Sequence, residues 1–173
     1  RFDGARTLID VGTGAGLPGI PLAVYAPHLT VTLLDSLNKR VRFLTEVTAA
    51  MGLPNVRCIH ARAEEAARTA EHRAAYDIAV SRAVARLPVL LEYTLPFVRV
   101  GGTLLALKGR AYAAEQKAAR RAAEVLGGGR IMARPVHLPG LDDVRVILTV
   151  TKERQTPTAY PRGGGAPTRR PIL

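Results

Sequence analysis

The run Leu8-Ile9-Asp10-Val11-Gly12-Thr13-Gly14-Ala15-Gly16-Leu17-Pro18-Gly19 is where residue types and spacing first point to chemistry. Glycines let the backbone turn sharply and approach a ligand closely. Pro18 suits a first helical turn, where its missing N–H would be unpaired in any case. A glycine loop between a strand and a helix reads as a nucleotide loop. Gly14, Gly16 and Gly19 satisfy G-x-G-x-x-G, the fingerprint of a dinucleotide pyrophosphate held at a helix N-terminus. Further along, Asp35 ends an apolar run and is placed to accept hydrogen bonds from two ribose hydroxyls. A surface carboxylate or helix cap is the competing reading. At Ala63-Glu64-Glu65 a backbone amide and the Glu64 carboxylate suit an adenine edge, whereas Glu65 reads as a solvated helix start.

The choice between nucleotides turns on Asp10. It gives D-x-G-x-G-x-G, and a carboxylate there suits the ammonium group of S-adenosylmethionine but sits poorly beside a pyrophosphate. Asp35 supports adenosine without choosing, since NAD and S-adenosylmethionine share the ribose. The literal G-x-G-x-x-G keeps an NAD-dependent oxidoreductase open as an alternative.

The elements that must position these groups are legible. Apolar segments at Thr7–Val11, Thr30–Leu34, Val56–Ala61, Asp77–Ser81 and Thr103–Leu107 are short and nearly continuous, as expected for parallel strands covered on both faces. Phe43, Leu44, Val47 and Met51 recur at helical spacing before Gly52, and Leu87–Phe97 and Ala111–Leu126 supply two further helices, the latter closed by Gly127-Gly128-Gly129. Two later segments, Arg134–Leu138 and Val144–Thr151, flank the turn-prone Pro139 to Asp143 and predict an antiparallel hairpin. The expected fold is therefore α/β, a doubly wound, Rossmann-like sheet of the class I methyltransferase kind ending in a hairpin. We expect residues 1–151 to form the methyltransferase domain and residues 152–173 a basic Pro/Gly-rich arm. The chain is expected to begin on a strand, without a targeting segment.

Arg82 falls at the carboxyl end of the fourth strand, the edge where open α/β sheets bind ligands, which favours a functional role over a generic surface arginine. Lys108 ends the fifth strand at the same edge, as a substrate contact or as a strand-end lysine whose stem lies along apolar surface. The four histidines show no metal-ligand spacing, and Cys58 is the sole cysteine, so no metal and no internal disulfide are expected. No apolar run approaches eighteen residues, which argues against a membrane span. Twenty-five basic residues against fourteen acidic ones give a net charge of +11, a field that favours a polyanion: RNA, DNA or an anionic membrane face, with nucleic acid preferred because no basic amphipathic helix with bulky apolar residues stands out as an anchor. Because most of the basic residues are arginine, coding bias is a competing source of that excess.

The stretches IDVGTGAGLPGIPLAV, LLDSLNKRVRFL, ARAEE, SRAVA and GGTLLALKG, in that order, with YPRGGGAP near the end, resemble the bacterial 16S ribosomal RNA guanine-N7 methyltransferases, the glucose-inhibited division protein B family. The likeness covers essentially the whole chain. It implies S-adenosylmethionine as cofactor, with Gly12 and Leu17 on the methionine side, Ala63 and Glu64 at the adenine, and Arg82 near the methyl group. Asp10, Gly14, Gly16 and Asp35 fit the same pocket by position. It implies 16S ribosomal RNA or the small ribosomal subunit as partner and a guanine of the 530 loop as target, while the single cysteine, Cys58, fits a reducing, cytoplasmic location. Guanine N7 carries a lone pair and no proton, so no general base is expected and the lack of a His or Cys catalyst is consistent. N7 lies in the deep major groove of A-form RNA, so the base must be presented from a loop or flipped out. A non-catalytic RNA-binding module on the same scaffold is the alternative of a different class.

Overall fold

The computed structural model describes residue 2 and residues 4–173. Seven strands form one sheet in the order β3-β2-β1-β4-β5-β7-β6. They are β1 (Thr7–Val11), β2 (Thr30–Asp35), β3 (Val56–His60), β4 (Tyr76–Arg82), β5 (Val98–Lys108), β6 (Gly128–Leu138) and β7 (Leu141–Lys152). The first five are mutually parallel, and β7 runs antiparallel to both β5 and β6. Because side chains alternate across a strand, the near-continuous apolar runs divide between two cores. Leu8, Val31, Leu33, Ile78 and Val80 face one core, while Ile9, Val11, Leu34, Ala79, Leu104 and Ala106 face the other.

Helices α1 (Gly19–Tyr25) and α2 (Asn38–Ala50) cover the first face. The second carries α3 (Ala63–Ala66), α4 (Leu87–Thr94) with a 3-10 turn over Leu95–Phe97, α5 (Tyr112–Ala118) and α6 (Arg120–Val125). The helix expected over 111–126 is thus two, meeting at Ala119, where Ala119, Ala122 and Ala123 all lie against the core. In α2 the buried stripe is Val41, Leu44 and Thr48. Phe43 and Met51 are half exposed, so their helical spacing marked the helix but not its inner face. The hairpin is longer than expected at both ends, since Gly128 already pairs with Lys152 and the turn narrows to Pro139-Gly140, with Gly140 at φ +77°. An 11-residue strand tolerates glycine at its start because the ladder to β7 fixes the backbone that propensity leaves free.

The segment after residue 151, expected as a basic Pro/Gly-rich arm, lies docked against the rest of the chain. Arg68 donates to the carbonyls of Ala159 and Pro161, and Arg73 to those of Thr156, Pro157 and Tyr160. Lys152, only 1% exposed, donates to the Leu95 carbonyl at 2.6 Å and to Thr156 Oγ1. The chain closes with a short α7 (Ala166–Arg169) packed beside α4, and Tyr160 and Ile172 lie on the second core. Arginine side chains of the 68–73 segment supply the donors that a Pro/Gly-rich strip of backbone carbonyls needs to dock.

Candidate active site

The carboxyl ends of β1, β2 and β4 and the residues following β3 border two adjoining hollows that share Gly12, Asp35, Ser36 and Val84. The first, of about 290 Å³, is lined by Leu34, Ala61, Ala63 and Glu64 and also by Tyr93, Gly165 and Thr168. The second, of about 370 Å³, is lined by Thr13, Gly14, Leu17, Arg40 and Arg82. A cleft at this edge is what a doubly wound sheet provides where its strand order reverses, here between β1 and β4.

The floor is the glycine loop. The Gly12 and Thr13 amides donate to the Leu34 carbonyl at 2.9 and 3.1 Å, tying the loop to β2. Gly12 has φ +71°, and a Cβ there would lie 2.6 Å from Val84 Cγ2. Glycine therefore permits both the left-handed turn and the approach of Val84. The Gly14 amide donates to Asp35 Oδ2 at 3.0 Å, and Leu37 N donates to Oδ1 at 2.9 Å. Gly19 is needed for packing, since a Cβ there would meet Leu33 Cδ2 at 2.2 Å.

Asp10 is placed differently from the expectation that it meets a ligand's ammonium group. It shares the strand face of Leu8, so it points under the loop towards α1 and is fully buried. Oδ2 accepts from Thr13 Oγ1 and from the Gly19 amide, both at 2.8 Å, while Oδ1 has no hydrogen-bond partner among the described residues. Burial pushes this carboxyl up from 3.8 to about 6, against the opposing pull of the two hydrogen bonds and of the Arg82 charge. Asp10 is a pin for the loop, not a wall of the cleft.

Of the other expected residues, Gly12, Gly14, Leu17, Asp35, Ala63, Glu64 and Arg82 come together around the two hollows; Gly16 sits behind the loop against Ile20 and Leu44. The Arg82 side chain is exposed and makes no hydrogen bond or ion pair among the described residues. Lys108 borders neither hollow. Its ammonium pairs with Glu115 at 2.7 Å and donates to the Ala85 carbonyl at 2.6 Å, and Glu115 also accepts from the Leu87 amide at 2.7 Å. This pair braces the turn after Arg82, where Ala83 is held at φ +56°, a strained conformation for alanine that the surroundings must enforce. Glu115, Val84, Tyr93 and Thr168 were not legible as site residues. Glu115 reads as an ordinary helix-surface acid, and Thr168 lies 75 residues from the tyrosine it meets.

The residues present fit S-adenosylmethionine. The first hollow offers the buried carboxylates of Asp35 and Glu64, exposed 3% and 8%, between apolar walls suited to a ribose and a purine. The second offers the backbone turn at Gly14 and the Arg82 guanidinium, which has no partner among the described residues, suited to an amino-acid carboxylate. Fold and cleft together define a class I methyltransferase. Solved structures agree on the fold: the apo S-adenosylmethionine-dependent methyltransferase SibL superposes with a TM-score of 0.67 at 20% identity, over 88% of this chain and 52% of that one. TYW2 of M. jannaschii in complex with AdoMet gives 0.66 at 21% identity, over 86% and 68%.

The chain belongs to the family described as rRNA small subunit methyltransferase G (GidB), which matches residues 1–139. The Ribosomal RNA small subunit methyltransferase G of Alkaliphilus metalliredigens is 52% identical over 166 residues, 96% of this chain and 70% of that protein. The protein is thus a methyltransferase of that family.

Proposed function

We propose that this chain transfers a methyl group from S-adenosylmethionine to N7 of a guanine in the 530 loop of 16S ribosomal RNA, acting on that RNA or on the small ribosomal subunit in the cytoplasm. The observation that carries the reading is the Arg82 guanidinium beside the glycine loop, without a partner among the described residues, in a chain of this family. When bound, the cofactor supplies a methyl group on a positively charged sulfur, which guanine N7 accepts without a general base. The protein's task is therefore to hold two reactants in line. Asp35 accepts from the ribose hydroxyls, and Ala63 and Glu64 border the purine. Gly12, Gly14 and Leu17 form the floor towards the methionine end. Arg82 holds the amino-acid carboxylate or the incoming base, and Lys108 with Glu115 holds the turn that carries Arg82. The +11 charge favours a phosphate backbone as partner. Among the described residues no helix is long and apolar enough to cross a membrane, and no group of three or more His, Cys, Asp or Glu converges as a metal site.

Single-turnover methyl transfer to 16S RNA, with the modified nucleotide mapped, tests the reading on wild type and Arg82→Ala. The substitution should lower the rate about tenfold to a thousandfold, roughly 1.4–4 kcal/mol, and leave the melting temperature in place, because an exposed strand-end arginine buries few contacts. Full activity at normal stability rejects the Arg82 assignment. A methyl group mapped to another atom rejects the N7 target.

A further inference from the structure

The C-terminal segment reaches the first hollow and is anchored there by more than general packing. Glu92 on α4 is fully buried, and its carboxylate accepts three bonds from one residue: the Arg162 amide at 2.8 Å, Arg162 Nε at 2.9 Å and Nη2 at 2.6 Å. A bidentate guanidinium plus an amide fixes both the position and the direction of the chain at residue 162. From that point Gly163-Gly164-Gly165 turns back, with φ +59° at Gly164 and +72° at Gly165, so the turn depends on residues lacking a Cβ. The turn delivers Gly165 and Thr168 to the edge of the hollow, where Thr168 Oγ1 lies 3.1 Å from Tyr93 Oη. Thr168 remains exposed and Tyr93 and Gly165 half-buried, and all three line the hollow.

We propose that the segment from Tyr160 to Arg169 is a working part of the cofactor site: it forms the outer wall of the adenosine half, and Tyr93 with Thr168 sets where the purine end stops. The proposal rests on the reading of this hollow as the adenosine half. Asp35 and Glu64 then supply the inner, acidic side and the tail supplies the opposite side. Ligand binding and docking of the tail are linked, each favouring the other by the same factor. The aromatic ring and hydroxyl at this boundary suit a flat heterocycle bearing a polar edge.

Calorimetric titration with S-adenosylhomocysteine, which probes the pocket without turnover, separates the possibilities. Thr168→Phe places a bulky ring at an exposed position on the rim, so the fold should tolerate it, and affinity should fall tenfold or more at unchanged melting temperature. In the unmodified protein, saturation with the same ligand should slow hydrogen exchange of the 163–170 amides at least tenfold, a readout that holds even if the variant misfolds. Asp35→Ala serves as the reference and should weaken binding at least tenfold. If Thr168→Phe binds within twofold of wild type, or protection is confined to residues 12–17, 35–37 and 61–65, the proposal is overturned while the cofactor site stands. If Asp35→Ala also binds normally, the reading of the hollow fails, and the proposal with it.

Discussion

The glycine loop and the C-terminal segment both border the cleft, and each hangs on a fully buried carboxylate. They solve the burial problem in different ways. Asp10 is met by two uncharged donors, Thr13 Oγ1 and the Gly19 amide, and keeps one oxygen without a partner among the described residues. Glu92 is met by a guanidinium and an amide and has both oxygens engaged. Burial consequently raises the Asp10 carboxyl to about 6, whereas the Glu92 interaction instead holds the Arg162 guanidinium above its ordinary value. A loop needs only a local pin from residues three and nine positions away. A chain end brought back over 70 residues needs a charged, directional latch.

The largest expected effect comes from breaking the latch. Arg162→Ala leaves Glu92 buried and uncompensated, which should destabilise the fold by about 3–5 kcal/mol. Glu92→Gln should cost clearly less, because it removes the charge while keeping one acceptor. Chemical denaturation of the two variants checks this, and equal losses would show that the charge pairing is not what holds the tail.

Asp10 should behave in the opposite sense. Its folded value lies above the ordinary 3.8, so the native state holds its proton to higher pH than the unfolded chain, and stability falls as pH rises from about 4 to about 6. Asp10→Asn keeps an acceptor without the charge. It should abolish that fall and gain up to about 2 kcal/mol over wild type above pH 6, relative to the difference at pH 4. Asp77 works in a separate window. Its own burial is outweighed by hydrogen bonds from Arg6, Arg99 and Thr7, which hold it near 2, so it adds stability between about 2 and 4 as pH rises. Melting curves of wild type and Asp10→Asn at pH 4, 5, 6 and 7 isolate the Asp10 contribution, and parallel pH profiles would refute it.

The smallest effect belongs to Thr13. Thr13→Val removes one donor to Asp10 at nearly constant volume and should cost about 1 kcal/mol near neutral pH. Since that hydrogen bond pulls the Asp10 carboxyl down, its loss should move the carboxyl titration to higher pH, as followed by carbon NMR of the labelled side chain. An unmoved titration would mean that burial alone governs Asp10.

By itself the sequence determined what local pattern can determine. Strand β1 lies at its expected bounds and β2 to β4 within one residue of theirs, because short apolar runs between turn residues have few other ways to be buried. β5 contains its expected core but starts five residues earlier, through Gly101 and Gly102, where strand propensity is weak. The loop, Asp35, Ala63-Glu64 and Arg82 were legible because each directly follows or ends a strand, and strand ends converge on one edge whatever the details of packing. Tertiary structure decided the rest. The pleat of β1 turned Asp10 under the loop, Glu115 took the Lys108 ammonium, and the partnership of Glu92 with Arg162 brought a Pro/Gly-rich end back to the cleft. Such pairings join residues far apart in the chain and of ordinary surface type, so no spacing records them. They exist only once the sheet has fixed where each donor and acceptor lies.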